Sequence, residues 1–152
     1  MLADFLLASF HHVCVFSLFA ILAIQLVLVR PGMDAGVIAR VGRIDLAYGI
    51  VAGLTLFAGL LRVFYGEKGP GYYFGNHIFW SKLGLFLIVA LLSIRPTLDF
   101  LAWRRALAAN PQALPADKDV RRTRIFIHAE ATLLILLPIL AAAMARGYGV
   151  KG

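Results

Sequence analysis

Charge is scarce in this sequence: lysine, arginine, aspartate and glutamate make up 15% of 152 residues, against 61% hydrophobic residues. That balance excludes an ordinary soluble domain, in which about a quarter of residues are charged. Cysteine is scarcer still. Cys14 stands alone, so no internal disulfide can form, and the redox compartment cannot be read from cysteine pairing. The sequence also lacks a glycine-rich nucleotide loop, a nucleophile elbow and an HExxH metal motif. The formal net charge of +7 is the asymmetry expected of loops that fix membrane orientation, and it gives nucleic-acid binding no support.

What the chain does have is long apolar runs. Crossing a hydrocarbon core of about 30 Å takes roughly 20 mainly apolar residues, and the runs here predict helices at about 5–29, 44–64, 78–108 and 118–145. The stretch LASFHHVCVFSLFAILAIQLVLV, residues 7–29, has no charged residue. No basic segment precedes it and no small-residue cleavage site follows, so it reads as a retained span and not a signal peptide. Pro31 and Gly32 close the first span, and the GEKGPG run from Gly66 to Gly71 is expected to be a turn. Pro96 falls just beyond the most apolar part of the third span, where it can kink a helix that continues toward Ala108. Asn110, Pro111 and Pro115 break that extension, and Asp117 is placed as the N-cap of the last helix. Because backbone polar groups in lipid must be satisfied internally, the fold class is all-α: an integral membrane four-helix bundle forming one domain over 1–152.

Orientation follows from the basic residues. Arg30, Arg40, Arg43, Arg95, Arg104, Arg105, Lys118, Arg121, Arg122 and Arg124 lie around residues 30–43 and 95–124. Those loops are expected to be cytoplasmic. Both termini and the GEKGPG loop then lie on the external side, periplasmic if the membrane is a bacterial inner membrane. His11, His12, Arg62, His77 and Lys82 fall toward that side, among Tyr65, Tyr72, Tyr73 and Trp80 as an aromatic belt. Toward the cytoplasmic side fall Arg43 and Asp45, Arg95 and Asp99, and His128 and Glu130, so the reading places one polar cluster in each leaflet.

Helical geometry sharpens these groups. On the first helix His11, Cys14, Leu18 and Gln25 share a face, whereas His12 points about 100° away. On the second, Gly42, Asp45, Gly49, Ala52, Gly53, Gly59 and Arg62 fall within one broad face, and Gly49 and Gly53 make a GxxxG pattern suited to close helix packing. Ionisable groups inside a span are costly and usually face a polar interior or a pathway. Lys82 is on that ground a proton donor or anion partner, Arg121 and Arg124 are headgroup anchors, and Glu130 faces inward. A haem b between helices needs axial ligands at matching depth. His77 with His11 or His12 meets that requirement, while the opposite leaflet offers only His128, so two bis-histidine haems are excluded. Copper held by His11 and Cys14 is a weaker option.

The segments RVGRIDLAYG, FWSKLGLFLIVALL and RIFIHAEATLLILLPILAAAMA, with a histidine early in the first helix, resemble the HemJ-type protoporphyrinogen oxidases and, more distantly, the CopD membrane domain. That resemblance implies a role for His11 or His12, Arg43, Lys82 and Glu130. The last helix departs from the asparagine–glutamate–proline sequence of those oxidases, having His128, Ala129, Glu130 and Ala131 there. The doubled histidine and the YGEKGPGYYFGNHIFW loop resemble instead an uncharacterised bacterial membrane-protein family, a domain of unknown function with the same four-helix plan.

The function expected is a tetrapyrrole-linked redox membrane protein, one that oxidises a porphyrinogen or carries one haem b for electron transfer with quinone. Lys82, Glu130 and Arg43 are the expected catalytic residues. His11, His12 and His77 are the expected ligands of haem iron or porphyrin, with Arg62 holding anionic groups. The alternatives are a proton, metal or small-solute permeation protein using Asp45, Arg62, Lys82, His128 and Glu130, or a non-catalytic accessory subunit. The chain is short for an alternating-access transporter and shows no inverted repeat, so transport would call for a homo-oligomer.

Overall fold

The computed structural model describes residues 2–149. Long helices α1 (Leu2–Leu28), α2 (Ala35–Tyr65), α4 (His77–Ala109) and α5 (Asp117–Ala145) are joined by short connections, one of which holds the short helix α3 (Gly69–Phe74). All four long helices are apolar and long enough to cross a membrane. Helix α1 packs chiefly on α2 and α4 on α5, with lesser contacts between α2 and α4 and between α1 and α5. Two helical hairpins thus close a ring in the order α1, α2, α4, α5. The core runs along its axis through Leu18, Leu22, Ile38, Val41, Val89, Phe100, Val120, Ile127 and Leu134. The outer surface is also apolar, with Phe16, Val27, Leu46, Phe57, Leu91, Ile125 and Ile139 facing outward. An apolar patch of that extent on all sides is a lipid-facing surface.

Local chemistry accounts for where the elements start and stop, and several boundaries differ from the sequence reading. Helix α2 begins at Ala35 and not near residue 44, because the Asp34 side chain accepts the Val37 N–H at 2.7 Å and so starts the helix in the polar segment. The expected turn after α2 holds α3, with Pro70 in its first turn, where the missing N–H costs nothing. Asn76 caps α4 by accepting the Ile78 N–H. Asp117 lies within the first turn of α5 with Asp119, where a negative charge suits the helix dipole; Ala116 is the N-cap, so the expected Asp117 cap is corrected. Pro96 sits buried inside a continuous α4, and Pro138 lies inside α5.

Two features tie the hairpins together. Arg124 Nη1 donates to the carbonyls of Leu26 and Val29 at 2.8 and 2.7 Å, closing the C-terminus of α1 from α5. It is therefore a helix cap and not a headgroup anchor, because the last carbonyls of α1 have no partner within their own helix. At the other end Asn76 Nδ2 donates to Tyr148 O and the His77 N–H to Gly149 O, while Tyr72 Oη donates to Met144 O. The residues after α5 are thereby pinned against α3 and the start of α4.

The broad small-residue face expected on α2 is split in the structure. Asp45 is buried and Arg62 turns into the bundle, whereas Gly49 and Gly53 face outward, where a Cβ added to either would meet nothing within 4 Å. A face spanning half a helix circumference is divided between neighbours and lipid, so these glycines take no part in packing within the chain.

Candidate functional site

Between the four long helices, at the end of the bundle that carries α3 and the chain ends, lies a cavity of about 410 Å³. That is within the roughly 300–1,000 Å³ of small-molecule sites. Its walls are mainly apolar, from Val15, Phe19, Phe86, Leu137 and Ala141, and four nitrogen-bearing side chains meet there: His11, His12, Arg62 and Lys82. Helix α1 delivers the histidines, α2 the arginine and α4 the lysine.

His11 turns into the bundle. Its Nδ1 lies 3.1 Å from the Thr55 carbonyl on α2, an acceptor with no hydrogen to give, so Nδ1 carries the proton and Nε2 keeps a free lone pair. Gly59, one turn beyond, makes room for the ring: a Cβ there would lie 3.3 Å from His11 Cε1. His12 faces outward at the cavity rim, its Nδ1 2.6 Å from the Ala8 carbonyl of its own helix. The two rings meet edge to face with centroids 6.2 Å apart.

Arg62 and Lys82 carry two positive charges into this apolar setting. Among the described residues no acidic side chain forms an ion pair with either, and Arg62 Nε is buried with no hydrogen-bond partner. A guanidinium N–H held away from water without an acceptor is costly.

A second polar group lies deeper. Glu130 on α5, 1% exposed, meets Tyr48 and Asp45 of α2, and Asp45 in turn meets Gln25 of α1 and Thr97 of α4. Gln25 Nε2 donates to Asp45 Oδ1 at 3.3 Å, Tyr48 faces the Glu130 carboxyl and Thr97 faces Asp45, while Glu130 Oε1 has no partner. From Leu137 at the cavity floor to Glu130 is two turns of α5, about 10 Å at 1.5 Å per residue. Between them Leu22, Val51, Val89 and Leu134 form an apolar layer, one residue from each long helix.

Of the residues expected to act, His11, His12, Arg62 and Lys82 are brought together. His77 is not: it is the exposed first residue of α4 and does not line the cavity, so its pairing with His11 or His12 across one ligand is corrected. Glu130 lies in the deeper cluster, away from Lys82. Arg43 faces outward, because Asp45 and Tyr48 take the inward positions of that stretch of α2. His128 also faces outward, and Arg95 pairs with Asp99 at 3.1 Å. Among the described residues no group of three or more His, Cys, Asp or Glu could hold a metal ion. Sequence reasoning missed Tyr48, whose only signal was its place one turn after Asp45. It named Gln25 only as a member of a stripe, without seeing that an amide two turns beyond Leu18 calls for a buried polar partner.

The chain matches the model of the family DUF2214, described as a predicted membrane protein, over residues 3–149. It belongs to that family, as its resemblance to an uncharacterised four-helix membrane family implied. No curated protein and no solved structure matches it.

Proposed function

We propose that this chain is a membrane oxidoreductase acting on a porphyrin-type tetrapyrrole, bound in the cavity as an amphipathic anion. The observation that carries the reading is a pair of cations, Arg62 and Lys82, with no acidic ion-pair partner among the described residues, in a largely apolar cavity beside a histidine with a free Nε2. Such a site suits a flat apolar ring bearing carboxylates. The apolar walls take the ring, and Arg62 and Lys82 take the carboxylates. His11, locked by Thr55, offers Nε2 as proton acceptor toward the ring, or as one axial ligand if the ring holds iron. His12 comes from the same helix as His11, so the two would not flank one ring, and we take the substrate to be an oxidisable porphyrinogen with a quinone as its oxidant.

Each pair of hydrogens removed from a porphyrinogen ring leaves as two protons and two electrons that together reduce one membrane quinone to quinol, with His11 Nε2 taking up one of the two protons and passing it on. With the basic connections on the cytoplasmic side of a bacterial inner membrane, the cavity faces the periplasmic leaflet.

The test is a titration of the detergent-purified chain with protoporphyrin and with haem, followed by absorption. Saturable binding with a shifted Soret band is expected. Arg62→Gln and Lys82→Gln each remove a charge-assisted contact of about 1.5–3 kcal/mol, a roughly ten- to hundredfold weaker affinity, and His11→Ala abolishes the haem shift. Spectra no different from those in detergent alone reject the reading.

A further inference from the structure

The deeper carboxyl cluster takes no part in that reading, and its composition asks for a ligand of its own. Asp45 and Glu130 bring two carboxyls into the core, at 8% and 1% exposure. The titratable groups acting on Glu130 are Asp45 and Tyr48 of α2; α1 contributes Gln25 and α4 contributes Thr97, toward Asp45. Among the described residues no lysine, arginine or histidine acts on either carboxyl. An ionised carboxylate held out of water without a counter-charge costs several kcal/mol. The positive charge this cluster lacks must come from a bound proton or a bound cation. The independent sign of a ligand is Glu130 Oε1, an acceptor shut off from solvent and left with no partner.

We propose that Gln25, Asp45, Tyr48, Thr97 and Glu130 form a site for one small monovalent cation of the size of sodium, which enters in exchange for a proton. All of these side chains carry oxygen, and oxygen-only sets select hard cations. A divalent ion fits poorly. Calcium takes six to eight oxygens; the five side chains carry seven, but Gln25 presents its Nε2 to Asp45, and the other six reach one ion only if both carboxylates bind through both oxygens. Magnesium keeps several waters, for which the layer of Leu22, Val89 and Leu134 on the cavity side offers no polar partner. With one monovalent cation bound at the unpartnered Oε1, Glu130 is the ionised carboxyl and Asp45 stays protonated. The exchange balances: two protonated carboxyls and one sodium ion give a sodium-bound carboxylate, one remaining carboxylic acid and one released proton. The site is independent of whatever fills the outer cavity.

Carbodiimide labelling tests it, since the reagent couples to buried protonated carboxyls. The full-length chain in mild detergent is treated in choline chloride or in NaCl at equal ionic strength, and the label at Glu130 is read by mass spectrometry. In parallel, a NaCl pulse in weakly buffered solution is followed with a pH indicator. The expected result is labelling of Glu130 in choline chloride, at least fivefold less in NaCl, and release of about one proton per chain that Glu130→Gln removes. Labelling that ignores NaCl, no labelling in either salt, or no proton release overturns the proposal. Protection by CaCl₂ at concentrations well below those of NaCl also overturns it, assigning the cluster to a divalent ion. The wild-type labelling stands even if Glu130→Gln fails to fold.

Discussion

A single backbone carbonyl decides the chemistry of His11. Thr55 O can only accept, so it fixes the ring tautomer and aims Nε2 at the cavity. The space for that ring is supplied by Gly59. In Gly59→Ala the new Cβ, 3.3 Å from Cε1, forces the imidazole to give by a few tenths of an ångström. Overpacking of this kind costs about 1–3 kcal/mol, so the tetrapyrrole titration is expected to weaken roughly fivefold or more while helix content by circular dichroism stays unchanged. Unchanged affinity would show that His11 does not hold the ligand. Arg62→Lys separates charge from geometry at the neighbouring position. It keeps the cation but loses the planar fork with its Nε–H, and is expected to restore only part of the affinity that Arg62→Gln loses.

Between helices, the least obvious contact is the one from Arg124 to the last carbonyls of α1. Two charge-assisted hydrogen bonds are lost in Arg124→Ala, and the carbonyls of Leu26 and Val29 are left without that donor. A destabilisation of about 1.5–3 kcal/mol is expected, visible as a lower midpoint of thermal unfolding in detergent. Arg121→Ala, at an exposed position three residues earlier, should change it by no more than about 0.5 kcal/mol. Equal effects of the two changes would contradict the capping role. The sequence shows that an arginine stands at the start of α5 but not which partner it has, because the carbonyls it caps lie some hundred residues away and any helix end presents the same orphan groups. The same limit applies along α2. A period of 100° per residue placed Asp45, Gly49, Gly53 and Arg62 on one face, but it does not say where that face is divided between the bundle and lipid.

Across the whole molecule, the spans, the all-α class and the convergence of His11, Arg62 and Lys82 at one end were legible, because apolar run length and depth along a helix are linear properties of the chain. Helix adjacency is not linear, and it is what joined Gln25 to Asp45, whereas His77 misses the cavity because it is the exposed first residue of α4. Orientation can be measured directly. Cys14 is the only cysteine and is buried, so in a Cys14→Ala background a cysteine placed at Gly71 should react with a membrane-impermeant thiol reagent in intact cells. One placed at Gln112 should react only after permeabilisation, and the reverse pattern would invert the assignment of the leaflets. The apolar layer of Leu22, Val51, Val89 and Leu134 also makes the bundle a capacitor, with Arg62 and Lys82 on one plate and Asp45 and Glu130 on the other. Much of a membrane potential drops across such an insulator. A unit charge crossing the full potential exchanges about 2.3 kcal/mol per 100 mV, so a cation that reaches the inner plate through this layer would bind up to roughly fiftyfold more or less tightly per 100 mV, and Glu130 would act as a voltmeter.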